Sequence, residues 1–168
     1  MTFIDVHPSE PLILTGHQKY VCIWKAVQWQ DHRPENAKGF DDTMDFVVKF
    51  IPRRNLILTG DSSGKINVRT RNLELVHKFT AHGGRVRSLA VHPSQRYVLS
   101  SSDDHLIKLW DWDNDWTCTQ EFRRHTSPVT QVAFNPKDTN TFASVSGPNI
   151  KVLRLSFPMS FLWSRAGA

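Results

Sequence analysis

The sequence predicts an all-β chain built from about four copies of one small antiparallel sheet, arranged as the blades of an incomplete propeller ring. Three observations carry that fold class. Prolines recur in His7-Pro8, Ile51-Pro52, His92-Pro93 and Asn135-Pro136, spaced 44, 41 and 43 residues apart. Each is followed by polar residues and an apolar run, Leu12-Ile13-Leu14, Leu56-Ile57-Leu58, Tyr97-Val98-Leu99 and Phe142-Ala143, leading to a Ser, Thr or Gly segment. Next comes a segment with apolar first and third positions: Val21-Cys22-Ile23-Trp24, Ile66-Asn67-Val68-Arg69, Ile107-Lys108-Leu109-Trp110 and Ile150-Lys151-Val152-Leu153. That alternation is the two-residue period of a strand with one buried face. Self-similarity at about 40–45 residues marks a propeller blade.

The units follow in order along residues 1–155. Unit one, about residues 1–25, enters partway through its blade, and its Gly16-His17 stands only seven residues before Trp24, out of phase with the repeat. Between residues 25 and 45 the chain carries Trp29, Asp31, His32, Arg33, Pro34, Gly39, Asp41 and Asp42. Its polar content and Pro34 predict a surface loop over part of that stretch, and its Asp and His residues match no metal-ligand spacing. Unit two, about 26–70, ends its strand on Arg69 and has Ser63 in the turn before it.

Unit three, about 71–111, is the complete one. Ser101-Ser102-Asp103-Asp104-His105-Leu106-Ile107-Lys108-Leu109-Trp110-Asp111 reads as strand, tight acidic turn and a second strand ending in Trp-Asp, with Ala81-His82 placed 28 residues before Trp110. This is the signature of a WD40 repeat. His82, Ser100, Asp104 and Trp110 are expected to link in one buried hydrogen-bond chain. A buried carboxylate must be fully paired, so Asp104 with His82 is read as structural rather than as part of a catalytic triad. Unit four, about 112–155, replaces the turn aspartate by Gly147 and the terminal tryptophan by Leu153, and its turn Gly147-Pro148-Asn149 is one residue short. Residues 156–168 leave the repeat register as an atypical C-terminal tail, apolar but far too short to span a bilayer.

Four blades are fewer than a usual WD40 ring, so the chain is expected to be a partial or truncated relative of a longer protein, or an arc completed by another chain or copy. An open arc would expose sheet faces and edges.

Composition narrows the function. Lys and Arg number 21 against 16 Asp and Glu, a net charge of +5, but the basic residues lie scattered in small sets such as Arg53-Arg54, Arg85 with Arg87, and Arg123-Arg124. Without a basic stripe or an aromatic platform, no nucleic-acid role is expected. No phosphate loop, nucleotide-binding glycine pattern or nucleophile elbow occurs, so no catalytic residue, metal or cofactor is predicted. Cys22 and Cys118 are the only cysteines, too few for a disulfide scaffold. The sequence shows no apolar N-terminal signal, membrane run or Asn-x-Ser/Thr acceptor, which favours the cytosol or nucleus.

A closer resemblance rests on His92-Pro93, Ser101-Ser102-Asp103-Asp104, Leu106 to Asp113, Trp116, Cys118, Gln120, Phe122, His125, Asn135-Pro136-Lys137-Asp138 and Phe142-Ala143-Ser144. Upstream, Asp5, His7-Pro8, Glu10-Pro11, Val21-Cys22, Trp24, Arg54-Asn55, Thr59-Gly60 and Leu73-Glu74-Leu75-Val76-His77 extend it over most of residues 4–155. These residues resemble the N-terminal propeller of the coatomer beta-prime subunits. The resemblance implies a non-enzymatic interaction module of the COPI coat, acting in Golgi-to-ER and intra-Golgi transport. It implies coatomer subunits as partners, a cytoplasmic location, and membrane association only peripherally through a coat. In that family the propeller binds dilysine cargo tails, with acidic side chains on the lysines and basic ones on the terminal carboxylate. One family acidic residue corresponds to Asp103; another corresponds to Gly84, the carboxylate-binding arginine corresponds to Phe46, and the family's basic residues before the first repeat would lie upstream of Met1. These departures predict impaired cargo recognition. A generic WD40 scaffold of another cytosolic or nuclear complex, or a non-functional truncated product, remains the alternative.

Overall fold

The computed structural model describes residues 2–17, 19–25, 34–39 and 47–156. Among these residues, fifteen strands form four separate antiparallel sheets. Sheet one holds β1 (Thr2–Val6), β2 (Leu12–His17), β3 (Tyr20–Lys25) and β4 (Asn36–Gly39) in that order. Sheet two holds β5 (Val47–Ile51), β6 (Leu56–Gly60), β7 (Lys65–Thr70) and β8 (Leu75–Thr80). Sheet three holds β9 (Val86–Val91), β10 (Tyr97–Ser102), β11 (Ile107–Asp111) and β12 (Thr117–Phe122). Sheet four has three strands, β13 (Gln131–Phe134), β14 (Thr141–Ser146) and β15 (Asn149–Arg154). This is an incomplete WD40 propeller.

Sheets and sequence units are out of phase by one strand. The third unit contributes β8 to the edge of sheet two before it supplies β9, β10 and β11 to sheet three. Chain continuity therefore stitches each sheet to its neighbour. The turn of unit four closes in two residues, with Ser146 paired to Asn149 and Gly147 at φ +55. A positive φ at that first turn position is what glycine provides without steric cost.

The core lies between sheets. Leu12, Leu14, Val21 and Ile23 of sheet one meet Val48, Phe50 and Ile57 of sheet two. Val47, Ile51, Leu58, Ile66 and Val68 of sheet two meet Leu89, Val98 and Trp110 of sheet three. Ala90, Tyr97, Leu99, Ile107 and Leu109 of sheet three meet Val132 and Phe142 of sheet four. Each fully buried side chain of this kind contributes about 1.5–3 kcal/mol. Polar bridges follow the same seams. Asp5 accepts the Phe50 N–H at 2.7 Å and pairs with Lys49, Arg71 pairs with Glu10, and Arg54 pairs with Asp113.

Among the described residues, no sheet packs on the outer face of sheet one or of sheet four. Ile150 and Val152, which repeat the buried pair Ile107 and Leu109, are 72% and 74% exposed. Ile4, Val6 and Tyr20 are exposed at the opposite end. The strand pattern is the same in all four units, but burial requires a neighbouring sheet. Tail residues 157–168 and most of the loop read between 25 and 45 lie outside the described residues.

Candidate functional site

The richest polar site forms on the face of sheet three that looks at sheet two. Ser100 and Trp110 stand on β10 and β11, His82 enters from the β8–β9 connection, and Asp104 sits in the β10–β11 turn. The Trp110 Nε1–H donates to Ser100 Oγ at 2.8 Å, and Ser100 Oγ lies 2.7 Å from His82 Nε2. His82 Nδ1 lies 2.9 Å from Asp104 Oδ2. Because Asp104 accepts, Nδ1 carries the proton, Nε2 accepts from the serine hydroxyl, and the relay runs in one direction. Asp104 also accepts the backbone N–H of Gly83 at 3.0 Å and of Leu106 at 3.0 Å. Phe79 from β8 packs on Trp110 with ring centroids 4.8 Å apart, sealing the site.

The electrostatics agree with a neutral imidazole. Burial holds His82 below the ordinary histidine range, against the pull of Asp104. Burial pushes the Asp104 carboxyl upward, but the His82 ring and the N–H donors of Leu106 and Gly83 outweigh it and hold it below its usual value. Ser100 is completely inaccessible, at 0% exposure. A nucleophile needs access to its substrate, and this hydroxyl has none, so the Ser-His-Asp arrangement serves packing.

Partial copies appear elsewhere. In sheet four His125 Nε2 lies 2.8 Å from Ser144 Oγ, while Gly147 and Leu153 leave the rest of the relay unbuilt. In sheet one the Trp24 indole donates to Thr15 Oγ1 at 2.9 Å. In sheet two Arg69 occupies the tryptophan position, buried, with its guanidinium donating to the Leu73 carbonyl at 3.1 Å. Gly64 turns the chain there at φ +82, and a Cβ would stand 2.2 Å from the His82 carbonyl oxygen, so only glycine fits.

Asp103 lies in the same turn as Asp104 but points elsewhere. The Arg87 guanidinium grips it with both arms, Nε to Oδ1 at 2.6 Å and Nη2 to Oδ2 at 3.0 Å, and both side chains are about one-third exposed. A bidentate pair of this kind fixes geometry as well as charge. A Cβ at Gly84 would stand 3.3 Å from the Asp103 Cβ, so Gly84 leaves room beside that carboxylate. Phe46 lies outside the described residues. Arg87 also borders a groove of about 560 Å³ lined by the innermost strands, with Phe3, Lys49, Leu89, Val132 and Phe134 on its walls.

Several polar anchors were not singled out by sequence reasoning. Asp61, buried, accepts from the Ser63 N–H, the Ser63 hydroxyl and the Lys65 N–H, organising the turn of sheet two. Asp111 accepts from Arg96 Nε at 2.9 Å and from the Asp113 N–H at 3.0 Å. His7 and His92 accept turn N–H groups on Nδ1, from Glu10 at 3.1 Å and from Gln95 at 2.8 Å, and His92 Nε2–H donates to the Thr139 carbonyl at 2.9 Å. The recurrence of His-Pro at one repeat position was the available signal. Among the described residues no three His, Cys, Asp or Glu side chains converge to hold a metal, and no helix is long and apolar enough to cross a membrane.

The WD domain, G-beta repeat family matches residues 73–111 and 116–152. The chain is 47% identical over 160 residues to a putative coatomer subunit beta'-3 of Oryza sativa subsp. japonica, covering 92% of this chain and 17% of that protein. It is 43% identical over 158 residues to coatomer subunit beta' of Homo sapiens and of Bos taurus, covering 90% of this chain and 17% of each of those proteins. The chain thus spans about a sixth of the length of these relatives.

Proposed function

We propose that this chain, whose WD40 domain is homologous to that of the coatomer beta-prime subunits, is a non-catalytic docking module of a COPI-type coat. One observation carries the non-catalytic part: the triad-like set Ser100, His82 and Asp104 is consumed in a closed relay inside the sheet. What the chain offers outward is turns, a groove and sheet faces, which are binding surfaces. Its partners are coatomer subunits. Its place is the cytoplasm and, through the coat, the periphery of Golgi and vesicle membranes.

Dilysine cargo recognition is weak in this reading. A cargo lysine would have to displace the Arg87 guanidinium from Asp103, and Gly84 offers no second carboxylate. Displacing a bidentate partner with a single ammonium exchanges two charge-assisted bonds for one.

The test is affinity capture from cytosol with the folded 168-residue chain as bait. Recovery of coatomer subunits in a complex of defined mass supports the proposal. A folded chain that recovers none of them overturns it in favour of a WD40 scaffold of another complex, and a chain without folded species makes it a truncated product without the parent function.

A further inference from the structure

The connection from β12 to β13 carries Arg123-Arg124-His125-Thr126-Ser127-Pro128. Neither the relay nor the docking reading uses its basic pair. Thr126 and Ser127 are exposed, and among the described residues neither hydroxyl has a hydrogen-bond partner. No backbone N–H from Arg124 to Ser127 donates to a described residue either. A segment with so few backbone hydrogen bonds opens readily into another protein's cleft.

Two anchors hold it in place. His125 Nε2 lies 2.8 Å from Ser144 Oγ, and the Ser146 hydroxyl donates to the Ser127 carbonyl at 2.8 Å. Unit three has the same pair: His82 Nε2 lies 2.7 Å from Ser100 Oγ, and the Ser102 hydroxyl donates to the Gly84 carbonyl at 3.0 Å. Thr126 therefore takes the place of Gly83. Gly83 is exposed although sheet three is covered on both faces, and a Cβ there would meet nothing within 4 Å. The exposure of Thr126 thus belongs to its position in a blade. Ser127 takes the place of Gly84, where a Cβ would stand 3.1 Å from the Asp104 backbone nitrogen, close against the turn. Pro128 after it has no N–H to offer.

Arg123 and Arg124 precede Thr126 by three and two residues. Arg123 reaches Glu121 at 2.7 Å, while the Arg124 guanidinium pairs with no described carboxylate. Kinases select substrates by charge pattern, and two arginines beside an acceptor hydroxyl match a cleft lined by carboxylates. We propose that Thr126 is a phosphorylation site for a serine/threonine kinase with an acidic peptide cleft. Thr126 Oγ1 attacks the γ-phosphorus of ATP, the bond to the β–γ bridging oxygen breaks, and ADP leaves. The hydroxyl proton passes to the kinase's catalytic aspartate. The product brings a charge of about −1.5 to −2 to a corner that holds Arg124 and Lys151.

The test incubates the folded 168-residue chain with ATP and the catalytic subunit of the cyclic-AMP-dependent kinase. Tandem mass spectrometry then reads which hydroxyl carries the phosphate. Phosphate is expected on Thr126, absent in Thr126→Ala and restored in Thr126→Ser, with far-UV circular dichroism unchanged in both. Replacing Arg123 and Arg124 together by alanine should lower the kinase's kcat/KM about tenfold or more. A folded chain that takes no phosphate, or one labelled equally well without the two arginines, overturns the proposal. Phosphate on Ser127 alone also overturns it and makes Pro128, not the arginine pair, the recognised feature.

Discussion

Ser100→Ala is the perturbation that most sharply separates a structural relay from an incidental cluster. The substitution removes one oxygen and orphans two buried groups at once, the Trp110 indole N–H and the His82 Nε2. Each buried group left without a partner costs about 1–3 kcal/mol, so the loss should be about 2–4 kcal/mol after partial relaxation. Native domains hold about 5–15 kcal/mol in total, so the change is a large fraction of stability. At about 2–4 °C per kcal/mol for a chain of this size, the midpoint of thermal unfolding should fall by about 4–16 °C. Thr15→Ala is the internal control. It removes the same kind of oxygen from Trp24, but on the open face of sheet one, where water replaces it and the cost should stay below about 1 kcal/mol. Urea and thermal unfolding followed by circular dichroism measure both. If Ser100→Ala costs no more than Thr15→Ala, the relay does not hold the blade together.

Acid should destabilise the fold in two steps. His82 has its pKa lowered by burial, so the unfolded state binds the extra proton first and stability falls as pH drops below about 6.5. Asp104 also has its pKa lowered, so its contribution, present above its unfolded value, is lost at still lower pH as the folded carboxylate protonates; urea unfolding across pH 3–8 reads both, and His82→Gln should shrink the upper step, leaving the shares of His92 and His125, which burial also holds below the ordinary histidine range. Asp111→Ala strips Arg96 of its carboxylate and the turn of the Asp113 N–H acceptor, at a cost of about 1.5–3 kcal/mol in the same assay. Arg87→Ala frees Asp103, and a fluorescent dilysine-terminated peptide should bind the variant several-fold more tightly than the native chain; equal or weaker binding would show that Arg87 does not mask the carboxylate.

Much of the architecture could be read from periodicity because a blade is a local object. The proline register placed the second and third strands of each sheet, and alternation in segments such as Ile107 to Trp110 identified the buried face. The relay residues could be named from unit three alone, because His82, Ser100, Asp104 and Trp110 stand there at the spacing of a WD40 blade. Pairings that depend on how strands align were not legible. Arg87 reaches Asp103 because β9 and β10 pair Val86 with Ser102 across a register shift, and no spacing rule announces that. Asp61 escaped notice because it organises its turn from two residues before Ser63, the position the repeat register singled out. The exposure of Ile150 and Val152 could not be read from unit four itself, since their pattern equals that of Ile107 and Leu109 and only the missing neighbour differs.

Among the described residues the four sheets form an arc in which sheets two and three are covered on both faces and sheets one and four on one face each. Native-state hydrogen exchange tests it, at a dilution where light scattering reports a single chain. Strands paired on both sides make the fair comparison, β6 and β10 against β2 and β14. The arc predicts that amides of β6 and β10 exchange slowest, near the global unfolding limit, while β2 and β14 open more readily. Equal protection of β14 and β10 in the single chain would mean that sheet four is covered, and would contradict this arc.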